Sequence, residues 1–210
     1  MRGLAPSGAA LSWAVMHPVP GTADPLQPDP LVAAKAVLRR ELRARRQAMT
    51  RLEREAEAAL VAAACLPLLE EATALASYQA LREELDTDRV TRRWWAAGRV
   101  VWLPRVSGPR RLAWHPVADP RQLRIGAFGI REPDPGLVDE APLPADAVVL
   151  VPGLGYSAAG WRLGMGGGFY DAVLATHPGP TIGLAFACQR LDEVPREAHD
   201  RPVQRVLFGG

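Results

Sequence analysis

The chain has 210 residues, a formal net charge of +2 and a hydrophobic content of 48%. This length suits one domain with its own core, and the composition excludes a fibrous or a wholly disordered protein. The small net charge excludes a chain that is basic throughout, as a general nucleic-acid coat would be. Cys65 and Cys188 form no Cys-x-x-Cys motif, which argues against a disulfide scaffold or a cysteine zinc site and favours a cytoplasmic location.

Residues 1–30 are rich in proline, and we predict that they form a disordered extension. They imitate a secretion signal only weakly, because their apolar stretch is short. The longest nearly apolar run, residues 58–69, is interrupted by Pro67 and is shorter than the roughly 20 residues that a membrane-spanning helix needs. We therefore expect no transmembrane segment and a single domain over residues 31–210.

The domain is predicted to begin with two helices. Apolar residues recur at helical spacing over residues 31–49, and the positions between them are mostly basic, which indicates an amphipathic helix. Thr50 followed by Glu53 has the form of a capping box, the pattern that begins a helix. The second helix is therefore predicted to run from this box through the alanine-rich stretch to about Leu69.

A strand, a helix and another strand are predicted next, at residues 74–78, 86–97 and 99–104. This order is typical of a unit of parallel sheet. Residues 111–117 are predicted to add a hairpin or an edge strand. The following stretch, residues 118–144, is rich in proline and charge and is predicted to be mainly surface loop.

The last part of the chain repeats the alternation. Residues 147–151 are entirely apolar and predict a buried strand, followed by a helix over residues 168–176 and a strand over residues 181–187. The predicted fold class is therefore α/β, a single three-layer domain with a central, mainly parallel sheet and helices on both faces.

Residues 162–171, which we call the glycine loop, lie between that buried strand and the helix. The glycine loop reads Arg162, Leu163, Gly164, Met165, Gly166, Gly167, Gly168, Phe169, Tyr170 and Asp171. Glycines let backbone amides turn toward a ligand, and a helix amino terminus favours negative charge, so a phosphate site is predicted with Arg162 as a further contact. A glycine-rich turn without a ligand explains the same string, and neither the P-loop motif nor the dinucleotide motif matches it.

The flanks of the glycine loop carry a resemblance to a known family. Residues 151–156 read Val-Pro-Gly-Leu-Gly-Tyr, and together with residues 160–171 they resemble the signature of the 5-formyltetrahydrofolate cyclo-ligase family. Shorter similar stretches run from Lys35 to Asp200, so only residues 1–30 lie outside the resemblance.

The resemblance implies that residues 31–210 form the catalytic domain of a ligase. Such an enzyme converts 5-formyltetrahydrofolate to 5,10-methenyltetrahydrofolate with ATP as co-substrate and Mg²⁺ as cofactor, and releases ADP and phosphate. The formyl oxygen attacks the γ-phosphate, and the N10 amine then attacks the activated carbon. We expect a monomer whose partners are these two small molecules, with no nucleic acid and no membrane.

The resemblance also implies the site residues. ATP is expected to contact Lys35, Arg39, Arg162, Leu163, Gly164, Met165, Gly166, Gly167, Gly168, Phe169 and Tyr170. The folate is expected to contact Glu84, Phe128, Met165, Gly166, Gly167, Gly168 and Phe169, and Mg²⁺ to contact Asp171 and Asp200. Taken alone, these charges have structural alternatives: a solvated helix face for Lys35 and Arg39, or a partner of the helix dipole for Glu84 and Asp171.

The chain departs from the family pattern at Ser157 and Gln204, where aspartate is common, and at Gly167, where some members have lysine. The effect of these departures on turnover stays open. A second hypothesis is a protein that kept the fold and binds RNA through the basic helix at residues 35–54. The low net charge weakens this hypothesis, and the enzyme is preferred.

Overall fold

In the computed structural model, which describes residues 29–126, 129–198 and 200–210, helices and strands alternate along the chain. The helices among these residues are α1 (Pro30–Ala48), α2 (Arg51–Cys65), α3 (Asp88–Ala96) and α4 (Phe169–Thr176). The strands are β1 (Leu75–Ala76), β2 (Val101–Gly108), β3 (Arg111–Val117), β4 (Leu123–Ile125), β5 (Arg131–Pro133), β6 (Val148–Val151), β7 (Gly155–Ser157), β8 (Arg162–Leu163), β9 (Thr181–Ala185), β10 (Arg190–Leu191) and β11 (Arg205–Phe208).

The central sheet has the strand order β11-β9-β6-β1-β2-β3 among the described residues. All neighbours pair in parallel except β3, which forms an antiparallel hairpin with β2 at one edge. The predicted parallel units, β1-α3-β2 and β6-α4-β9, are both confirmed, and so is the predicted hairpin. The central, mainly parallel sheet of the predicted fold class is therefore present.

The sheet is covered on both faces, because successive residues of a strand point to opposite sides. Leu150 of β6 packs in one buried cluster with Val61 of α2 and Trp94 of α3. Its neighbour Val149 belongs to a second cluster, against which Val173 of α4 packs. Helices α2 and α3 thus cover one face and α4 covers the other, which confirms the three-layer arrangement.

The first two helices begin at side-chain caps. Asp29 Oδ1 accepts a hydrogen bond from Leu31 N at 2.8 Å, so α1 begins at Pro30, one residue earlier than predicted. The capping box is confirmed, since Glu53 N donates to Thr50 Oγ1 and Thr50 N donates to a Glu53 carboxylate oxygen. Residues 1–28, which make up almost all of the predicted extension, lie outside the described residues.

The structure differs from the predictions mainly at short elements. Helix α2 ends at Cys65, and a 3-10 turn over Leu66–Leu69 follows because Pro67 has no amide hydrogen to continue the helix. Strands β4 and β5 form a small hairpin inside the predicted surface loop. The hairpin of β7 and β8, and strands β10 and β11, were not predicted, because two to four residues are too few to show a period.

No helix of the described residues combines the length and the apolar character that crossing a membrane requires. Cys65 and Cys188 are both free thiols. Burial raises the pKa of the Cys65 thiol to about 12, so this thiol is held in its neutral form.

The central position of β6 makes its side chains the most informative probes of the fold. Leu150 is fully buried, and Leu150→Ala is expected to lower the free energy of unfolding by about 3 kcal/mol, through lost burial and the cavity that remains. Leu52 on α2 is 78% exposed, so Leu52→Ala is the matched control and should change stability by less than about 0.5 kcal/mol. Urea denaturation followed by circular dichroism measures both values, and equal losses would contradict this assignment of the core.

Candidate active site

A cavity of about 630 Å³ opens at the carboxyl edge of the parallel strands. Ligands of open α/β sheets bind at this edge. The walls of the cavity come from the segments that follow β1 and β6, from the β2–β3 hairpin and from the glycine loop. The lining residues are Tyr78, Gln79, Leu81, Glu84, Pro104, Arg105, Val106, Leu112, Ile130, Arg131, Glu132, Pro152, Gly153, Arg162, Gly164, Met165, Gly166, Gly167, Gly168, Phe169, Tyr170 and Asp171.

The glycine loop runs from β8 into α4. The loop was predicted to follow the buried strand β6, but strand β7 lies between them and pairs with β8, the first two residues of the loop. Gly166 has a φ of 104° and Gly168, the residue that caps α4, has a φ of 70°. Both angles lie in the left-handed region, which side chains disfavour. The loop therefore needs glycine at these two positions, and it presents the amino terminus of α4 to the cavity.

Arg162 and Asp171 join the two ends of the glycine loop. Arg162 Nη2 donates to Asp171 Oδ1, and Arg162 Nη1 donates to the Pro152 carbonyl at 3.2 Å. The Arg162 side chain is 6% exposed, whereas that of Asp171 is 31% exposed. The guanidinium thus links the end of β6 to the first turn of α4, and the carboxylate faces the cavity.

Lys35 and Arg39, predicted to contact ATP, lie one turn apart on α1 and have different partners. Arg39 Nε donates to the Gly164 carbonyl at 2.9 Å and so contacts the glycine loop directly. Lys35 Nζ donates to Glu197 Oε2 at 2.9 Å and to Asp200 Oδ2 at 3.0 Å. Burial alone lowers the pKa of Lys35, but these carboxylates outweigh it and raise the pKa above its ordinary value.

The two predicted magnesium ligands lie in different surroundings. Asp171 lines the cavity and bonds to Arg162, whereas Asp200 bonds to Lys35 and is absent from the cavity lining. Among the described residues, no three histidine, cysteine or carboxylate side chains are grouped as a metal site. Mg²⁺ is usually held by one or two carboxylates with phosphate and water oxygens. Asp171 fits that pattern, because its Oδ2 has no partner among the described residues.

Glu84 lines the cavity as predicted for a folate contact. Its carboxylate accepts a hydrogen bond from Leu81 N at 3.0 Å. Burial raises the pKa of Glu84 above its ordinary value, although this hydrogen bond and the positive charge of Arg46 act in the opposite direction. Arg46 is 3% exposed, and the sequence assigned it no role. Its burial beside Glu84 was therefore missed.

The aromatic predictions have mixed outcomes. Phe169 and Tyr170 both line the cavity, as does Met165. Burial raises the pKa of the Tyr170 hydroxyl, which has no hydrogen-bond partner in the described part of the chain. Phe128, the remaining folate prediction, lies outside the described residues.

Several cavity residues received no role in the sequence analysis. They are Gln79, Arg105, Val106, Arg131 and Glu132. Arg105 pairs with Glu132 at 3.3 Å, and this pair closes one side of the cavity between β2 and β5. The stretch around Arg105 belongs to the family resemblance, and that was the signal available for finding it.

Two departures from the family pattern have visible consequences. Ser157 Oγ is buried and has no partner within the described residues. Gln204 and Thr181 are joined by two hydrogen bonds. The side-chain oxygen of Gln204 accepts from Thr181 N at 3.3 Å, and the backbone N–H of Gln204 donates to Thr181 Oγ1 at 3.0 Å. The link between β9 and the segment before β11 therefore exists without an aspartate at position 204.

The fold and the cavity define an α/β enzyme with an anion-favouring loop beside an apolar pocket. Residues 32–209 match the 5-formyltetrahydrofolate cyclo-ligase family. The chain is 29% identical over 180 residues to the 5-formyltetrahydrofolate cyclo-ligase of Haemophilus influenzae, with 82% of this chain and 96% of the relative covered. The Escherichia coli K12 enzyme of the same name is 34% identical over 133 residues, which cover 59% of this chain and 71% of that enzyme.

A solved structure shows the same fold. The NMR structure of Aquifex aeolicus 5,10-methenyltetrahydrofolate synthetase superimposes with a TM-score of 0.68 and 28% sequence identity, covering 83% of this chain and 89% of that one. The chain belongs to the 5-formyltetrahydrofolate cyclo-ligase family and is a ligase.

The raised pKa of Glu84 has a measurable effect on stability. A carboxyl group whose pKa is higher in the folded state than in the unfolded state destabilises the fold as the pH rises through these two values. Glu84→Gln keeps an oxygen for Leu81 N and removes the charge, so the variant should be more stable than the wild type at pH 8. The difference should shrink as the pH falls toward 4. Urea denaturation across this range measures it, and a variant less stable at pH 8 would contradict the assigned shift.

Proposed function

We propose that this enzyme converts 5-formyltetrahydrofolate to 5,10-methenyltetrahydrofolate with consumption of ATP in the presence of Mg²⁺. The observation that carries the proposal is the placement of the glycine loop. The carboxyl end of the glycine loop forms the amino terminus of α4. Residues of the loop also line the 630 Å³ cavity, as does Glu84. A nucleotide and a second flat substrate therefore have adjoining sites in one opening.

The nucleotide phosphates are proposed to bind at the glycine loop. Backbone amides at a helix amino terminus stabilise phosphate oxygens, and Arg162 adds a positive charge beside them. Arg39 supports the loop through the Gly164 carbonyl, and Lys35 supplies charge from the same helix one turn earlier. Together with Leu163 to Tyr170, these residues are the proposed ATP contacts.

Asp171 is the residue best placed to hold Mg²⁺. Its carboxylate lines the cavity next to the loop, and Arg162 occupies only Oδ1. A bound Mg²⁺ ion neutralises charge on the phosphates and favours phosphoryl transfer. We propose Asp200 as a second contributor, and its bond to Lys35 keeps it near α1.

The folate is proposed to occupy the wider part of the cavity. A volume of about 630 Å³ is within the usual range for small-molecule sites, and its walls include Pro104, Leu112 and Phe169 as apolar surfaces. The Glu84 carboxylate can accept hydrogen bonds from the amino and ring N–H groups of the pterin. Met165 to Phe169 border both substrates.

In the proposed reaction, the formyl oxygen attacks the γ-phosphorus of ATP, a C–O–P linkage forms and ADP leaves. The N10 amine then attacks the formyl carbon and loses its proton, and the C–O bond breaks to release phosphate. The new N10–C bond closes the five-membered ring. The protein holds the two substrates in reacting order, and its loop amides and Arg162 stabilise the transferring charge.

The RNA-binding alternative receives little support from α1 and α2. Lys35 and Arg46 are buried, Arg45 pairs with Glu41 at 2.5 Å, and Arg51 pairs with Glu55 at 2.6 Å. A surface that binds RNA needs charges that are free to meet phosphates. The cytoplasmic location and the monomeric state predicted from the sequence stay predictions.

Removal of the Asp171 charge is the first test of the proposed site. Asp171→Asn keeps an oxygen for Arg162 but weakens Mg²⁺ coordination, so turnover should fall by about a hundredfold or more. The absorbance of the methenyl product measures turnover, and thermal unfolding should show that the variant remains folded.

The matched control is Asp192→Asn, since Asp192 is exposed and lies outside the cavity lining. It should turn over like the wild type. Wild-type turnover in Asp171→Asn would remove Asp171 from the site, and a wild-type protein that forms no methenyl product with Mg-ATP would overturn the proposed activity.

A further inference from the structure

Arg110 lies at the tip of the β2–β3 hairpin and faces the glycine loop. A Cβ atom on Gly168 would lie 2.6 Å from Arg110 Nε and 3.2 Å from its guanidinium carbon. The Arg110 side chain therefore packs over the backbone of the residue that caps α4, although it is exposed and free to extend into solvent. The hairpin and the loop, which both contribute lining residues to the cavity, approach each other at Arg110 and Gly168.

The position of Arg110 is unfavourable for local structure. Pro109 and Arg110 alone connect the strands, because Gly108 pairs with Arg111. Arg110 has a φ of 56°, and among the described residues it is the one non-glycine with a positive φ. Glycine or asparagine is favoured in such a turn position. The turn itself does not favour arginine at this position, and this points to a role for the Arg110 side chain.

The charge of Arg110 is also unbalanced. It has no hydrogen bond or ion pair with any described residue, and the partial positive charge of the α4 amino terminus opposes a cation there. The other cations that contact the loop donate to protein oxygens: Arg162 to Asp171 and Arg39 to Gly164. Between Leu163 and Asp171 the loop has no basic side chain of its own. An anion at Gly168 would meet the amides of α4 and the Arg110 guanidinium together.

We propose that Arg110 binds a phosphate group of the nucleotide and closes the phosphate site from the side of the hairpin. This proposal rests on the proposed function, since it assigns ATP to the glycine loop. The guanidinium would form charge-assisted hydrogen bonds with phosphate oxygens while the loop amides bind from the opposite side.

The test compares variants of two adjacent arginines. Arg110→Asn removes the charge and suits the positive φ, so the protein should be at least as stable as the wild type. Its Kd for Mg-ATP, measured by calorimetry without folate, should rise by about tenfold, the value of one charge-assisted contact. Arg110→Lys keeps the charge and should recover part of the loss. Adenosine, which has no phosphate, should bind all forms alike.

Arg111→Gln is the matched control, because Arg111 pairs with Glu140 at 3.0 Å at the same end of the hairpin. It should bind Mg-ATP like the wild type. The proposal is overturned if Arg110→Asn binds Mg-ATP normally, if both variants are weakened equally, or if only the KM for 5-formyltetrahydrofolate rises. Product formation distinguishes the two proposals. If Arg110→Asn weakens Mg-ATP binding but the wild type forms no methenyl product, the proposed activity is wrong and the phosphate-binding role of Arg110 is supported.

Discussion

The ion pair between Arg162 and Asp171 holds three parts of the candidate site in one geometry. Arg162 lies at the start of the glycine loop, Asp171 lies in the first turn of α4, and the same guanidinium donates to the carbonyl that follows β6. A nearly buried guanidinium is costly without acceptors, so this network specifies one arrangement of the loop. The glycines at 166 and 168 then supply backbone angles that no other residue adopts as easily.

Helix α1 depends on the loop that this ion pair organises. Arg39 donates to Gly164 within the loop, and Leu42 of the same helix is fully buried against Leu154 and Leu163. The basic face of α1 is therefore partly an internal surface.

The sequence predicts the long elements and the glycine loop well. Most of the short strands were not predicted, because they contain too few residues to show a pattern. The helices α1 to α4 have enough residues for apolar spacing to appear, and β6 lies in the entirely apolar stretch of residues 147–151, whereas β7, β8 and β10 offer neither signal. The same limit applies to the site. The glycine loop is recognisable as a string, but the partners of Lys35 lie more than 160 positions away, and no local pattern predicts such a contact. The burial of Arg46 was missed because one buried position on a basic helix face leaves the helical pattern unchanged.

The charges of the cavity are arranged before any ligand binds. Asp171 lines the cavity and accepts from Arg162 through Oδ1, so the proposed metal coordination at Oδ2 would not require the ion pair to break. Glu84 lies in a partly buried place where its charge lowers stability, and Tyr170 keeps a buried hydroxyl without a partner among the described residues. Unfavourable polar groups of this kind are typical of sites whose partners are supplied by a ligand. Because the fold already orients these groups, the proposed binding of two substrates would need little reorganisation. Electrostatic stabilisation of the proposed phosphoryl transfer is most effective under that condition.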